Sequence, residues 1–172
     1  MALVDVSIGG SKGSFFDSEK VLKKLDAQTR RSLSKCGAFV RQTAKSSIKY
    51  GTKSAPAGSP PTARRSKAFV RTTKNKKTGA VKSRPTSPLK ELIYFAYDDT
   101  ARSVVIGPAL FRQSKTKGYL VPTVLEKGGS VLVVSSDGVV KPATIAPRPF
   151  MNPALMKEMP KFQGTFKNIL RG

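Results

Sequence analysis

Histidine and tryptophan are missing from this 172-residue chain, cysteine occurs once, and Asp and Glu together number only ten. Without histidine there is no imidazole to ligate a metal, act as a general base or complete a Ser-His-Asp triad. With Cys36 alone there is no internal disulfide and no thiolate zinc site. No run of about 18 apolar residues occurs, so no membrane span is expected. The first residues, Met1 to Ile8, lack the basic and long apolar regions of a signal peptide, so synthesis in a reducing cytoplasm is expected. A chain of this length with 38% hydrophobic residues has the makings of a single domain, 1–172, with a modest core beside some unpacked sequence.

What the chain has in excess is positive charge: 32 Lys and Arg give a formal net charge of +22. Seventeen of these basic residues lie between Ala27 and Lys90, where no acidic residue occurs. The charge is therefore concentrated in one third of the protein, and such an excess calls for a polyanionic neighbour.

Residues 2–8 alternate as a short strand, and Gly9-Gly10-Ser11-Lys12-Gly13 interrupts it. From Asp17 the period becomes helical: Leu22, Leu25, Thr29, Leu33, Cys36, Val40, Ala44 and Ile48 form one stripe. Asp17 or Ser18 offers an N-cap and Gly51 a stop, predicting a helix of about 33 residues with a possible kink at Gly37. Residues 51–88 are rich in Pro, Gly, Lys, Thr and Ser, with little apolar surface to offset chain entropy, so they read as an extended or mobile arm. The arm carries Lys53, Arg64, Arg65, Lys67, Arg71, Lys74, Lys76, Lys77, Lys82 and Arg84.

Leu89–Tyr97 and Ala101–Gly107 predict one hairpin about Asp98-Asp99-Thr100. Val131–Val134 and Val139–Ile145 predict a second about Ser136-Asp137-Gly138. Tyr119–Glu126 fits a short helix or a strand. Asn152 as N-cap and Pro153 at the first helical position begin a last helix, with Pro160 a break or restart. The expected fold is α+β: an antiparallel sheet of hairpins against one long N-terminal helix, plus a C-terminal helix and the long basic arm.

Candidate chemistry is thin. The Gly9–Gly13 loop is not a P-loop pattern and reads as a turn. Asp98 and Asp99 point to opposite faces of a strand and suit a solvated turn. Cys36 lies on the apolar stripe and suits core packing. No hydroxyl has a candidate base, and no enzyme activity or cofactor is expected. Nucleic-acid contact through phosphates, without base reading, suits the arm, as does an acidic protein groove.

Four strings resemble the neck and tail-completion proteins of long-tailed bacteriophages, including the minor tail protein Z type. They are Pro56-Ala57-Gly58-Ser59-Pro60-Pro61-Thr62 with Arg64 and Arg65; Ala101-Arg102-Ser103-Val104-Val105-Ile106-Gly107-Pro108; Val124-Leu125-Glu126-Lys127-Gly128-Gly129; and Pro147-Arg148-Pro149-Phe150-Met151-Asn152-Pro153-Ala154-Leu155. Lys127 departs from the family's usual aromatic or neutral residue, and residues around Ala68 to Ser87 look like an insertion.

The resemblance implies a structural virion protein in a homo-oligomeric ring at the neck or head-proximal tail. Its partners would be itself and the adjoining connector, tail-terminator or tail-tube proteins, with packaged DNA in the channel as a further contact and no membrane. Assembly contacts would then fall on Pro60, Pro61, Glu126, Gly128, Gly129, Arg148, Pro149, Phe150 and Pro153. The alternative is a non-sequence-specific nucleic-acid-binding protein acting through the basic arm.

Overall fold

In a computed structural model the described residues are 18–111, 119–135 and 138–167. They form α1 (Ser18–Ser47), β1 (Lys49–Tyr50), β2 (Thr62–Ala63), β3 (Ser66–Lys74), β4 (Val81–Thr86), α2 (Pro88–Glu91), β5 (Ile93–Asp98), β6 (Ser103–Pro108), α3 (Val121–Lys127), β7 (Gly129–Val134), β8 (Val140–Ile145) and α4 (Met151–Phe166). The class is α+β. The expected strand at 2–8, the Gly9–Gly13 loop and the Asp17 cap lie outside the described residues.

Helix α1 ends at Ser47 instead of continuing to Gly51, because Lys49 and Tyr50 leave it to pair in parallel with Thr62 and Ala63. Its stripe of Cys36, Val40 and Ala44, continued by Ile48, is buried, whereas Leu22, at the far end of the same stripe, is 58% exposed. Gly37 does not break the helix; it lets β5 and β6 approach. A Cβ there would sit 2.7 Å from Val104 Cγ1 and 3.0 Å from Phe95 Cδ2, so any side chain would force the hairpin away.

The hairpins differ from expectation in their association. Strands β5 and β6 pair antiparallel about the Asp98 turn, and β7 and β8 pair likewise, but among the described residues each remains a separate two-stranded unit. No single sheet forms, and it is β5–β6 that packs against α1. Leu89 to Leu92, expected as strand, instead carries the short helix α2, started by Pro88.

The extended basic arm is also corrected. Residues 66–86 form an antiparallel hairpin, with Val70–Lys74 opposite Pro85–Val81 in continuous register and an irregularity between Ser66 and Val70. Its turn is closed by Asn75, whose side-chain oxygen accepts the Lys77 N–H at 2.9 Å and whose backbone N–H donates to Ala80 O at 2.8 Å. Composition gave too little weight to Thr72-Thr73, Val70 and Val81, which suit strands.

Helix α4 crosses α1 antiparallel. Ser32 Oγ donates to Thr165 O at 2.9 Å, Cys36 Sγ lies 3.2 Å from Thr165 Oγ1, and Thr43 Oγ1 donates to Glu158 Oε1 at 2.7 Å. Contacts on both sides of Pro160 keep the helix continuous through it, although proline removes one helical hydrogen bond. Around this crossing lies the core of Val40, Ala44, Ile48, Ala63, Leu89, Ile93, Phe150 and Ala154.

Glu158 is the one buried carboxylate in this crossing, 3% exposed. The hydrogen bond from Lys161, then that from Thr43, lower its pKa from the ordinary 4.5 against the opposing effect of burial. A lowered carboxylate pKa favours folding above the unfolded value, and the gain is lost as pH falls through the folded one. Thermal unfolding followed below pH 4.5 is expected to show a smaller acid-dependent loss in Glu158→Gln than in the parent; an identical pH dependence would remove Glu158 from the acid response.

Candidate functional site

Helix α4 starts without a side-chain cap of its own. Phe150 is its N-cap, and Asn152, expected in that role, lies inside the helix. The cap comes from Glu126 at the end of α3. Its Oε2 accepts the N–H groups of Phe150 at 2.9 Å and Met151 at 3.1 Å, and its Oε1 accepts that of Asn152 at 2.9 Å. The next residue, Pro153, has no N–H to satisfy. One carboxylate therefore meets the donors that a helix start leaves open, at the positive end of its dipole.

Neighbouring groups hold that carboxylate in place. Arg148 donates its backbone N–H to Leu125 O at 2.7 Å, and its Nε donates to Ala55 O at 2.8 Å. Gly58 N–H donates to Pro147 O at 2.8 Å. Gly128 closes α3 with φ +72°, and a Cβ there would lie 2.9 Å from both N and Cδ of Pro147. Phe150, fully buried, joins the core, while Pro149 beside it is half-buried.

The Pro56–Thr62 loop, the Val124–Gly129 segment and the Pro147–Leu155 segment thus meet, although about ninety residues separate the first from the last. Pro108, ending the Ala101–Pro108 string, lines a shallow cleft with Pro122, Glu126, Phe150 and Met151. Of the remaining residues singled out in the sequence, Pro61 is buried, Pro60 half-buried, and Gly129 and Pro153 exposed. Gly129 has φ +134° and begins β7.

The basic residues divide by position. Lys53 stands apart on the loop after β1, and Arg64 donates to Thr52 O at 2.8 Å. Arg65 stacks on Tyr50, 4.7 Å from the ring centroid. Arg71, Lys82 and Arg84 line a cleft with Tyr50, Arg65 and Glu91, while Lys67, Lys74, Lys76 and Lys77 are exposed on the hairpin outside it.

Tyr50, Thr86 and Glu91 were not singled out by the sequence, yet they fasten the hairpin's base. Tyr50 Oη lies 2.6 Å from Thr86 Oγ1, which donates to Glu91 Oε1 at 3.0 Å. Glu91 is also 3.7 Å from both Lys45 and Arg71. Burial, and then Arg41 nearby, lower the Lys45 pKa from its ordinary value against the opposing pull of Glu91. A tyrosine just after a basic helix was the available signal, but its hydrogen-bond partner Thr86 lies 36 residues away.

The weaker candidates have local roles. Asp98 Oδ1 accepts the N–H groups of Thr100 and Ala101 in the turn, while Asp99 pairs with Arg30 at 3.4 Å. The two carboxylates do not share a site. Cys36 is buried between α1 and α4. Among the described residues no helix is long and apolar enough to cross a membrane.

Substitutions at two positions, Glu126 and Gly128, test this junction by denaturant unfolding. Glu126→Ala is expected to cost about 2–3 kcal/mol, and Glu126→Gln, which keeps an acceptor, about half of that. A loss below about 0.5 kcal/mol in Glu126→Ala, the range of ordinary surface changes, would remove the carboxylate from this role. Gly79 has φ +69° with open space around it, whereas Gly128 combines φ +72° with ψ −172°, a region nearly confined to glycine, and its Cβ would meet Pro147. Gly128→Ala should therefore destabilise by about 1–3 kcal/mol more than Gly79→Ala, and equal losses would remove both the contact and the extra backbone strain as costs at Gly128.

The chain matches no family model, no curated protein and no solved structure.

Proposed function

We propose that this chain is a structural virion protein of a tailed phage, forming a homo-oligomeric ring at the head–tail junction as a neck or tail-completion protein. The observation that supports this reading best is the meeting of the Pro-Pro loop, the Glu126 segment and the Pro-Arg-Pro-Phe segment at one helix start. These strings carry the resemblance to the neck and tail-completion family, and here they act together as a scaffold that sets the direction of α4.

A ring subunit also needs surface for its neighbours. The outer side of α4 exposes Leu155, Met156 and Met159, at 38, 62 and 48%, which are close together on a helix. Such a strip suits a second copy of the chain, and the proposed role is assembly: each subunit presents complementary faces to its neighbour and to adjoining connector or tail rings.

Electron microscopy of intact particles, with the chain labelled and its copies counted, is expected to place it at the neck or head-proximal tail. Met156→Asp with Met159→Asp should lower its incorporation while leaving the purified chain folded. Particles that are complete and infectious without the chain would overturn the reading.

A further inference from the structure

The β3–β4 hairpin is unusual in what it exposes. Residues 66–86 hold seven Lys and Arg and no Asp or Glu, and both faces of the outer hairpin are in solvent. Arg71 is directly opposite Arg84, and Thr73 directly opposite Lys82, so three cations share one face within two residues along the strands. Like charges placed directly across a ladder destabilise it. That face does not end in solvent: it turns towards Tyr50 and Arg65, forming a cleft of about 280 Å³ in which Glu91 is the one carboxylate. Glu91 is already engaged by Lys45 and Arg71.

Concave cationic surface with a single occupied counter-charge suits an anion, and the chemistry of the hairpin favours nucleic-acid phosphates over an acidic protein. Protein interfaces bury an apolar, aromatic centre, whereas Val70 and Val81 are the exposed large apolar residues here. Between the cations stand Thr72, Thr73, Thr78 and Ser83, which are phosphate-contacting side chains. A two-stranded antiparallel ribbon also has the width of the DNA major groove.

We propose that the β3–β4 ribbon and the cleft at its base hold the phosphate backbone of duplex DNA without reading its sequence. The ribbon enters along a groove, Arg84 and Lys82 take phosphates on the cleft side, and Lys74 takes one near the tip. The inference is independent of the neck reading, since a ribbon that binds DNA serves a ring around a DNA channel and a free DNA-binding protein alike.

The test uses the full chain and a labelled random duplex of about 20 base pairs, with affinity followed by fluorescence anisotropy between 50 and 200 mM salt. Each phosphate contact contributes about 3.5-fold to the affinity lost over that range. In the triple variant Lys74→Gln, Lys82→Gln, Arg84→Gln the loss should therefore shrink by about 40-fold relative to the parent. The charge-matched variant Lys24→Gln, Lys141→Gln, Lys157→Gln should behave as the parent does. All six side chains are exposed, and near-ultraviolet circular dichroism checks that both variants keep their packing. Equal effects in the two variants, no duplex binding at the lower salt, or tighter binding of polyglutamate than of duplex would each overturn the proposal, the last in favour of an acidic protein.

Discussion

The fold turns on one carboxylate. Glu126 accepts three consecutive N–H groups at the start of α4, so the direction in which the chain enters the last helix is fixed from outside that helix. An ordinary N-cap is local and fixes only the turn that it closes. A cap from the end of α3 also ties two elements together, and it fails if either moves. The inner side of α4 then meets α1 through Ala154, Glu158 and Thr165, and Phe150 is carried into the core. Arg148 extends the same tie to the Ala55 loop, so helix start, loop and α3 form one rigid corner.

Scarcity of acidic residues makes the position of each one informative. Glu126 serves backbone donors, Glu158 fastens α4 to α1, and Glu91 fastens the base of the ribbon to Lys45. Asp26 and Asp99, at the other end of the β5–β6 hairpin, pair with Arg102 and Arg30. These last two pairs are exposed and contribute little to stability, but both join α1 to the turn of the hairpin that covers it. These five carboxylates sit at joints between elements, whereas Glu19 pairs within α1 and Asp98 closes its own turn; the ribbon has no carboxylate of its own and meets one of these joints only at its base, through Glu91.

Much of this was legible in the sequence because it is local. The period of α1 from Cys36 to Ile48 and the alternation in β5 to β8 are short-range patterns, and they predict the elements that form. The joints were not legible, because they are pairings across distance: Glu126 to Asn152, Tyr50 to Thr86, Arg148 to Ala55. Nothing in the local sequence of α4 says that its cap lies 24 residues upstream, and Asn152-Pro153 suggested a self-contained start. The ribbon was missed for a different reason. Its stability comes from backbone pairing and the Asn75 turn, and neither leaves an apolar signature.

That origin has a consequence for the ribbon itself. An isolated two-stranded hairpin is marginal in water, and this one is weakened further by Arg71 facing Arg84. Its base is anchored through Tyr50, Thr86 and Glu91, whereas towards the tip it relies on the strands alone. The opposed arginines lie near that anchored base, in the cleft beside Glu91, so an anion seated between them would relieve repulsion at the foot of the ladder. On the proposed binding, filling the cleft and ordering the ribbon would be coupled: the charges that would attract a polyanion are also those that oppose each other across the hairpin.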